Sequence, residues 1–369
     1  MPDSRLAEIA RQFVIAPEVA PAAAVAVGYR GHARADFEFA FGAAFRHARA
    51  ACSAAFFDLA SISKSFMACA VARLARRGRL SLETPLHDLL AEARGFGAGS
   101  ASLSLLLSHR AGLEAHRPLF APLLAGLPFD RRRALIEVLQ GVRGECVGVA
   151  PTSGYPPLYS DLGFALVGLA VERLEGLPLD EIVEREVCAP LGIELEVGST
   201  RLLRRRGLDF SRRCMPTETV PFRGGEVRGA VHDENAWALS GHGLSGHAGL
   251  FGTALGVARF GAALLEAQLD RVPRWLDAHS LTPLLRPRPG GTLRAGFDGK
   301  SADQSSAGTL IGPRSFGHLG FTGTSFWCDP DAERVLVLLT NRVCPTRNNL
   351  RIRSCRPAVN DALFSFRPE

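Results

Sequence analysis

The chain has 369 residues, of which 47% are hydrophobic and 22% charged, a composition typical of a soluble globular protein. Its formal net charge is +6, but the arginines occur in short scattered runs without interleaved aromatic residues, so we expect no nucleic-acid partner. No apolar run approaches the roughly 18 residues of a membrane span. The eight cysteines form no C-x-x-C pair, which argues against a zinc knuckle or a disulfide framework. We therefore expect a cytoplasmic protein with reduced thiols and no signal peptide.

The first predicted elements are an amphipathic helix over residues 3–14 and an antiparallel strand pair. The two strands of this pair are the apolar, turn-bounded runs Ala22–Tyr29 and 37–44. From Ser61 to about residue 200 the pattern is mostly helical. The helices predicted in this part begin at Ser61, with a stop at Gly78, and continue with 102–107, 162–174 and 179–188.

The second half of the chain is predicted to return to strands. The expected elements are, in order, an exposed irregular connection over 200–235, a glycine-dense loop over 241–252, an amphipathic helix, a mobile loop over 285–310, a hairpin of 321–328 with 335–339, and a helix over 358–366. Strands near both ends with helices between them predict an α+β fold, an antiparallel sheet flanked by terminal helices with an inserted, mostly helical lobe. We expect one domain over 1–369, with a sheet subdomain of 1–60 plus 250–369 and a helical lobe of 61–249.

The stretch Ser61-Ile62-Ser63-Lys64 is the first candidate for chemistry. On a helix, residues i and i+3 share a face, so the Lys64 amine can reach the Ser61 hydroxyl and take its proton. The ordinary interpretation is a helix-capping serine followed by a solvated lysine. The composition favours the catalytic interpretation, because Lys64 and Lys300 are the only lysines among the 43 lysine and arginine residues. A buried lysine can be shifted into the range of a base, whereas arginine stays charged.

Two further stretches follow in chain order, Tyr159-Ser160-Asp161 before a predicted helix and His318-Leu319-Gly320 before the hairpin. The chain has three tyrosines against 22 phenylalanines, so Tyr159 is expected to use its hydroxyl. A hydrogen-bonded structural tyrosine remains the alternative. His109, in a predicted turn, is interpreted as a buried structural histidine rather than a catalyst.

With these three motifs in this order, the sequence resembles the serine β-lactamase and penicillin-binding family. The resemblance is to its class C β-lactamase-related branch of esterases and D-alanyl peptidases, in which S-x-x-K, Y-x-N and K/H-x-G elements converge on one cleft. It covers roughly residues 20–345. It implies a β-lactamase/transpeptidase-like fold and a serine hydrolase that cleaves ester or peptide-like amide bonds through an acyl-Ser61 intermediate.

The resemblance also implies roles for single residues. Ser61 would be the nucleophile, and Lys64 and Tyr159 would handle its proton, with the spacing leaving open which of them is the base. The backbone N–H groups of Ser61 and Phe321 would form the oxyanion hole. Gly320 would let substrate approach the strand closely.

Two positions depart from the family pattern. Asp161 replaces an asparagine that donates to substrate, so an amide donor is lost and a negative charge gained. His318, expected to line the opposite wall and position substrate, replaces a lysine and would carry charge only at acidic pH. Both departures favour a less anionic substrate than a penicillin. The alternative is a β-lactamase, or a penicillin-recognising sensor with slow turnover.

The expected partner is a small-molecule ester, amide or peptidoglycan-like substrate, and no cofactor or metal is expected. A G-x-G-x-x-G match at 241–246 has no strand before it, so it lacks the context of a dinucleotide site. Four residues that could suggest a metal site lack ligand spacing: His232, Asp233, His242 and His247. The sequence indicates no oligomeric state.

Overall fold

The computed structural model of the chain describes residues 4–29, 32–39, 55–146, 153–271 and 275–367. Its helices are α1 Ser4–Ala10, α2 Ser63–Arg76, α3 Leu86–Leu89, α4 Leu103–Leu107, α5 Ala121–Leu124, α6 Arg131–Leu139, α7 Asp161–Glu175, α8 Leu179–Val183, α9 Thr200–Arg205, α10 Phe210–Arg213, α11 Glu234–Ser240, α12 Ala254–Gln268, α13 Ala278–Leu285 and α14 Ile352–Ser365. Its strands are β1 Ala22–Tyr29, β2 His32–Phe39, β3 Phe57–Asp58, β4 Val197–Ser199, β5 Thr219–Val220, β6 Gly225–Glu226, β7 Leu250–Gly252, β8 Asp298–Gly299, β9 Phe316–Leu319, β10 Ser325–Asp329 and β11 Arg334–Thr340.

The main sheet combines strands from both ends of the chain. Its order is β2-β1-β11-β10-β9-β8, and every neighbouring pair is antiparallel. The alternation of side chains across a strand divides its apolar residues between two faces. Val335 and Val337 of β11 join the core under α12, whereas Leu336 and Leu338 join a second cluster with α1 and α14. The predicted α+β fold, a sheet flanked by terminal helices, is confirmed.

The remaining strands form two small sheets. One has the order β3-β7-β4. In it the strand before α2 pairs with the end of the glycine-dense loop, Phe57 with Gly252 and Asp58 with Phe251. A two-stranded sheet, β5 with β6, lies in the segment predicted to be an exposed, irregular connection. That prediction is wrong in part, because Leu203 and Phe210 are buried in an apolar cluster of their own. Their short helices carry few apolar residues each, so periodicity does not reveal them.

Several predicted boundaries change. The α-helix begins at Ser63, because Ala60–Ile62 forms a 3₁₀ turn before it. The second strand starts at residue 32 rather than 37, since it pairs with all of β1 from Tyr29 opposite His32. Residues 40–44 of the predicted strand lie outside the described residues. The last helix begins at Ile352 rather than 358, and Pro357 lies inside it, a residue that sequence reasoning takes as a helix boundary.

The hairpin is confirmed, with β10 beginning at Ser325 rather than at residue 321. Residues 320–324 form a turn, in which Gly320 N–H donates to Thr324 O at 2.8 Å and Gly323 has φ of 101°. Phe321, Thr322 and Thr324 are residue types that favour strands, so the turn was not predicted. Within the described ranges, no helix is both long and apolar enough to cross a bilayer.

Candidate active site

Ser61 follows a strained turn at the end of β3. The buried carboxylate of Asp58 accepts N–H bonds from Ala60 at 2.8 Å and from His232 at 2.7 Å. Ala60 has φ of 47°, a left-handed conformation that a residue with a β-carbon rarely adopts. The 3₁₀ turn then leads into α2, so Ser61 lies beside a helix start and lines a cavity.

Lys64 lies one turn further along, fully buried. Its Nζ donates to Ser61 Oγ at 2.8 Å and to His247 O at 3.2 Å, and it pairs with Asp161 Oδ1 at 2.7 Å. Burial disfavours the ammonium, but the Asp161 carboxylate and Tyr159 outweigh it, so the pKa of Lys64 is raised. Lys64 is therefore an ammonium at neutral pH, hydrogen-bonded to Ser61 and His247 and ion-paired with Asp161.

Tyr159 lies in the extended segment before α7, with its ring centroid 4.9 Å from Lys64 Nζ. Burial raises the pKa of this phenol, while the Lys64 charge and hydrogen bonds to Lys64 and Ser61 partly oppose the rise. His109 stacks on the ring with 4.6 Å between centroids, and its Nδ1 accepts the N–H of Ser160 at 3.0 Å. Burial lowers the pKa of His109 to about 3. The interpretation of His109 as a buried structural histidine is confirmed.

Asp161 is the first residue of α7, where a carboxylate is favoured by the helix dipole. Burial alone would raise its pKa, but the ammonium of Lys64 lowers it, so Asp161 is ionised. The negative charge expected from the sequence is thus present, and it is paired with Lys64. The pairing was not predicted, because the two residues are distant in the sequence.

His318 lies on β9, with its ring centroid 6.2 Å from that of Tyr159. Its Nδ1–H donates to Leu319 O at 2.8 Å. Burial, and then the charge of Lys64, lower its pKa to about 3. The lowered pKa moves the expected charging of His318 to more acidic pH than for a free histidine.

The turn after β9 lies against the segment that carries Ser61. Thr322 Oγ1 donates to Asp58 O at 2.7 Å and Thr324 Oγ1 to Leu59 O at 3.2 Å. A β-carbon on Gly320 would lie 1.9 Å from Thr324 Oγ1 and 2.7 Å from Leu59 O. A glycine at position 320 is therefore required for this packing, and its expected role in substrate approach stays a prediction.

Two backbone donors remain free at this junction. Within the described part of the chain, neither the N–H of Ser61 nor that of Phe321 bonds to a protein acceptor. Both residues line the same cavity. The Phe321 side chain is half exposed, stacks on the ring of His232 and lies under the guanidinium of Arg342, 4.6 Å from it.

The cavity has a volume of about 760 Å³. Lys64 and His318 lie behind its wall, whereas Ser61, Tyr159, Asp161, Gly320 and Phe321 line it. Its remaining lining residues with a carboxylate or guanidinium group are Asp233, Glu234, Arg342, Arg347, Arg353 and Arg356, of which Arg347 and Glu234 form an ion pair.

Several residues at this site were not predicted as parts of it. His247 bonds through Nε2 to Asp233 Oδ1 at 2.9 Å, behind Lys64. His232 makes a similar pair with Glu218 at 2.9 Å. Within the described residues, no three such side chains could hold a metal ion. Gly246 of the G-x-G-x-x-G match packs on α7, since a β-carbon there would collide with Phe164 O.

Comparison with known proteins agrees with this architecture. A sequence model of the family described as Beta-lactamase matches residues 11–354. A Salmonella agona (strain SL483) protein named "Putative D-alanyl-D-alanine carboxypeptidase" is 25% identical over 303 residues, which are 78% of this chain and 69% of that protein.

Solved structures show the same fold. A β-lactamase from Mycobacterium bovis superposes with a TM-score of 0.58 at 22% identity, covering 93% of this chain and 94% of that one. EstCE1, described as a hydrolase with promiscuous acyltransferase activity, gives a TM-score of 0.65 at 20% identity, covering 97% and 98%. The predicted β-lactamase/transpeptidase-like fold is confirmed.

Proposed function

We propose, from the premise that this chain belongs to the beta-lactamase family of serine hydrolases, that it cleaves ester or peptide-like amide bonds through an acyl-Ser61 intermediate. The observation that carries the proposal is the contact of Lys64 Nζ with Ser61 Oγ at 2.8 Å beside an open cavity. A serine hydroxyl becomes nucleophilic when a neighbouring group controls its proton.

Tyr159 is proposed as the base that takes this proton. Lys64 is an ammonium held by Asp161 and cannot accept a proton in that state. Tyr159 lies beside Lys64 and Ser61, and its phenolate form would accept the proton from Ser61 Oγ and, as the phenol, return it to the leaving group. The ammonium then stabilises the phenolate that carries out the step.

The oxyanion hole is proposed to consist of the N–H groups of Ser61 and Phe321. Within the described residues both N–H groups are free of protein acceptors, and both residues line the cavity. As the tetrahedral intermediate forms, its oxygen becomes negative and accepts both N–H bonds, which stabilises it where water is excluded.

For the substrate we propose a peptide-like amide or ester, with a peptidoglycan-like acyl-D-alanine as the first candidate. The name of the Salmonella agona relative supports this class. The neutral His318 offers no cation, but Arg353 lines the cavity and makes no ion pair within the described residues. Arg353 is the proposed partner for a substrate carboxylate.

A fluorophosphonate probe tests the nucleophile. Wild type should be labelled and should hydrolyse p-nitrophenyl butyrate, whereas Ser61→Ala should lose both. Ser63→Ala is the matched control, because Ser63 is a buried serine of the same motif whose Oγ accepts the N–H of Leu250 at 3.2 Å. Labelling that survives in Ser61→Ala contradicts the proposal. Labelling of wild type without turnover would indicate the sensor alternative.

We also propose that the protein works in a reducing compartment such as the cytoplasm. Free thiols of this number persist in reducing compartments. The free cysteines of the described ranges support this location: Cys69, Cys146, Cys188, Cys214, Cys328, Cys344 and Cys355.

A further inference from the structure

One side chain of the last helix reaches the turn that carries the Phe321 N–H. Arg356 Nη2 donates to Gly320 O at 2.6 Å and to Thr324 O at 3.0 Å, so it joins the two ends of the turn. The same Gly320 carbonyl also accepts the N–H of Gly323 at 3.0 Å. The Gly320 oxygen is thus held by one charged and one neutral donor.

The carbonyl of Gly320 and the N–H of Phe321 belong to the same peptide group. That group is planar and trans, so its oxygen and its N–H point in opposite directions. A donor that fixes the oxygen therefore also fixes the direction of the N–H. Hydrogen bonds in a chain polarise one another, so a charged donor on the oxygen also makes the Phe321 N–H a stronger donor.

Arg356 is suited to this task by its charge and its surroundings. It lies at the cavity wall, and its Nε is buried without a partner among the described residues. Burial lowers its pKa to about 10, which leaves the guanidinium charged at neutral pH. Arg342 binds a different carbonyl of the turn, that of Phe321 at 2.8 Å, which lies in the next peptide group.

Resting on the proposed role of the Phe321 N–H, we propose that Arg356 is a positioning residue of the oxyanion hole, which orients and polarises the Gly320–Phe321 peptide. It acts through the peptide and does not touch the reacting atoms. The charge that stabilises the oxyanion is thereby supplied from the C-terminal helix across one amide group.

The test compares p-nitrophenyl butyrate with its thiono analogue, in which sulfur replaces the carbonyl oxygen and accepts N–H bonds weakly. Arg356→Met should lower kcat for the ester about 10- to 100-fold, less than outright removal of an oxyanion donor. KM should stay within about twofold, as for an interaction made in the transition state. The ester-to-thiono-ester rate ratio should also fall, because the thiono ester gains less from the N–H. Arg356→Lys should recover part of the ratio.

Arg351→Met is the matched control, since Arg351 is exposed at the start of α14 and donates to Pro17 O. It should leave both rates unchanged. Equal losses for the two substrates in folded Arg356→Met, or no loss, overturn the proposal. If Arg356→Met does not fold, the ester-to-thiono-ester rate ratio is measured on Arg356→Lys instead. A ratio equal to that of wild type then overturns the proposal. Retained turnover in Ser61→Ala would instead contradict the proposed function itself.

Discussion

At the scale of single residues, the ion pair between Lys64 and Asp161 controls the protonation of the site. The Asp161 charge raises the pKa of Tyr159 as well as that of Lys64. Replacing the carboxylate by an amide removes this influence, while the shape of the side chain is kept. The ammonium of Lys64 then acts on Tyr159 without compensation.

We therefore expect Asp161→Asn to move the rising limb of the kcat/KM–pH profile to lower pH. In the proposed mechanism Tyr159 acts as a phenolate, and a lower pKa makes that form available at lower pH. Folding stability should fall by about 3 kcal/mol or less, since a buried charge loses its partner but an amide oxygen still accepts.

The profile of p-nitrophenyl butyrate hydrolysis measures this shift. Asp331→Asn is the control, because Asp331 is a carboxylate of the distant hairpin turn, paired with Arg314. If the rising limb of the Asp161→Asn pH profile stays in place or moves to higher pH, Asp161 does not set the protonation of Tyr159.

The buried histidine of β9 predicts an acid-sensitive fold. The pKa of His318 is lowered to about 3, against about 6.5 in an unfolded chain. Below pH 6.5 this histidine binds a proton in the unfolded state but not in the folded state. The free energy of unfolding therefore falls as the pH decreases from 6.5 towards 3. At pH 5 the loss is about 2 kcal/mol for this one group.

His318→Asn should remove this contribution, because its amide can still donate to Leu319 O and does not titrate. Urea unfolding measures the free energy of unfolding at pH 7 and at pH 5. The difference between these two free energies should be about 2 kcal/mol smaller in His318→Asn than in wild type. His87→Asn, at a partly exposed histidine of α3, should leave this pH difference unchanged. An undiminished difference in His318→Asn would contradict the neutral buried state.

Residue types with chemical consequences could be predicted from the sequence, but their long-range partners could not. Ser61 and Lys64 are one helical turn apart, so their contact follows from local geometry. The rarity of tyrosine indicated Tyr159. Asp161 and Arg356 gain their roles from side chains that are remote in the sequence, and a single sequence holds no record of such pairs.

At the scale of elements, the turn 320–324 is the most demanding piece of local structure at the site. Gly320→Ala would place a β-carbon 1.9 Å from Thr324 Oγ1, so the turn must move. We expect a loss of about 1–3 kcal/mol in stability. Activity should fall by about 100-fold, because a displaced Phe321 N–H no longer meets the oxyanion.

Thermal unfolding and ester hydrolysis measure the two effects. Gly144→Ala is the matched control, since a β-carbon there meets nothing within 4 Å. Wild-type activity in Gly320→Ala would mean that the turn does not present an oxyanion donor.

Long apolar runs bounded by turn residues were predicted well, and irregular segments were not. The run Val335–Leu339 of β11 and the mostly apolar stretch of α7 are both visible in the sequence. The turn before β10 contains Phe321 and two threonines, residue types typical of strands, so it was read as part of the strand. Because Pro357 was taken as a helix boundary, the part of α14 before it was not predicted. That part includes Arg356.

At the scale of the whole molecule, the sheet and the helices share one core. The largest buried cluster contains side chains of β1 and β11 together with those of α2 and α7. The division into a sheet subdomain of 1–60 plus 250–369 and a helical lobe of 61–249 stays a proposal. We expect these two parts to unfold together.

Scanning calorimetry should therefore show a single transition, with equal calorimetric and van't Hoff enthalpies. A boronic acid that occupies the cavity should raise that one transition temperature, as a ligand that binds only the folded state does. Two transitions, with only one of them moved by the inhibitor, would show that the lobe and the sheet are separate folding units.

The seclusion of Lys64 has a practical consequence. Reagents that modify primary amines find two lysine targets in this sequence, and the other, Lys300, is held by the carbonyls of Thr309 and Ile311. Acylation or reductive methylation of Lys64 requires that its Nζ become exposed and lose a proton, since the side chain is fully buried and its pKa is raised. The rate of inactivation by such a reagent therefore reports how often Nζ is both exposed and deprotonated.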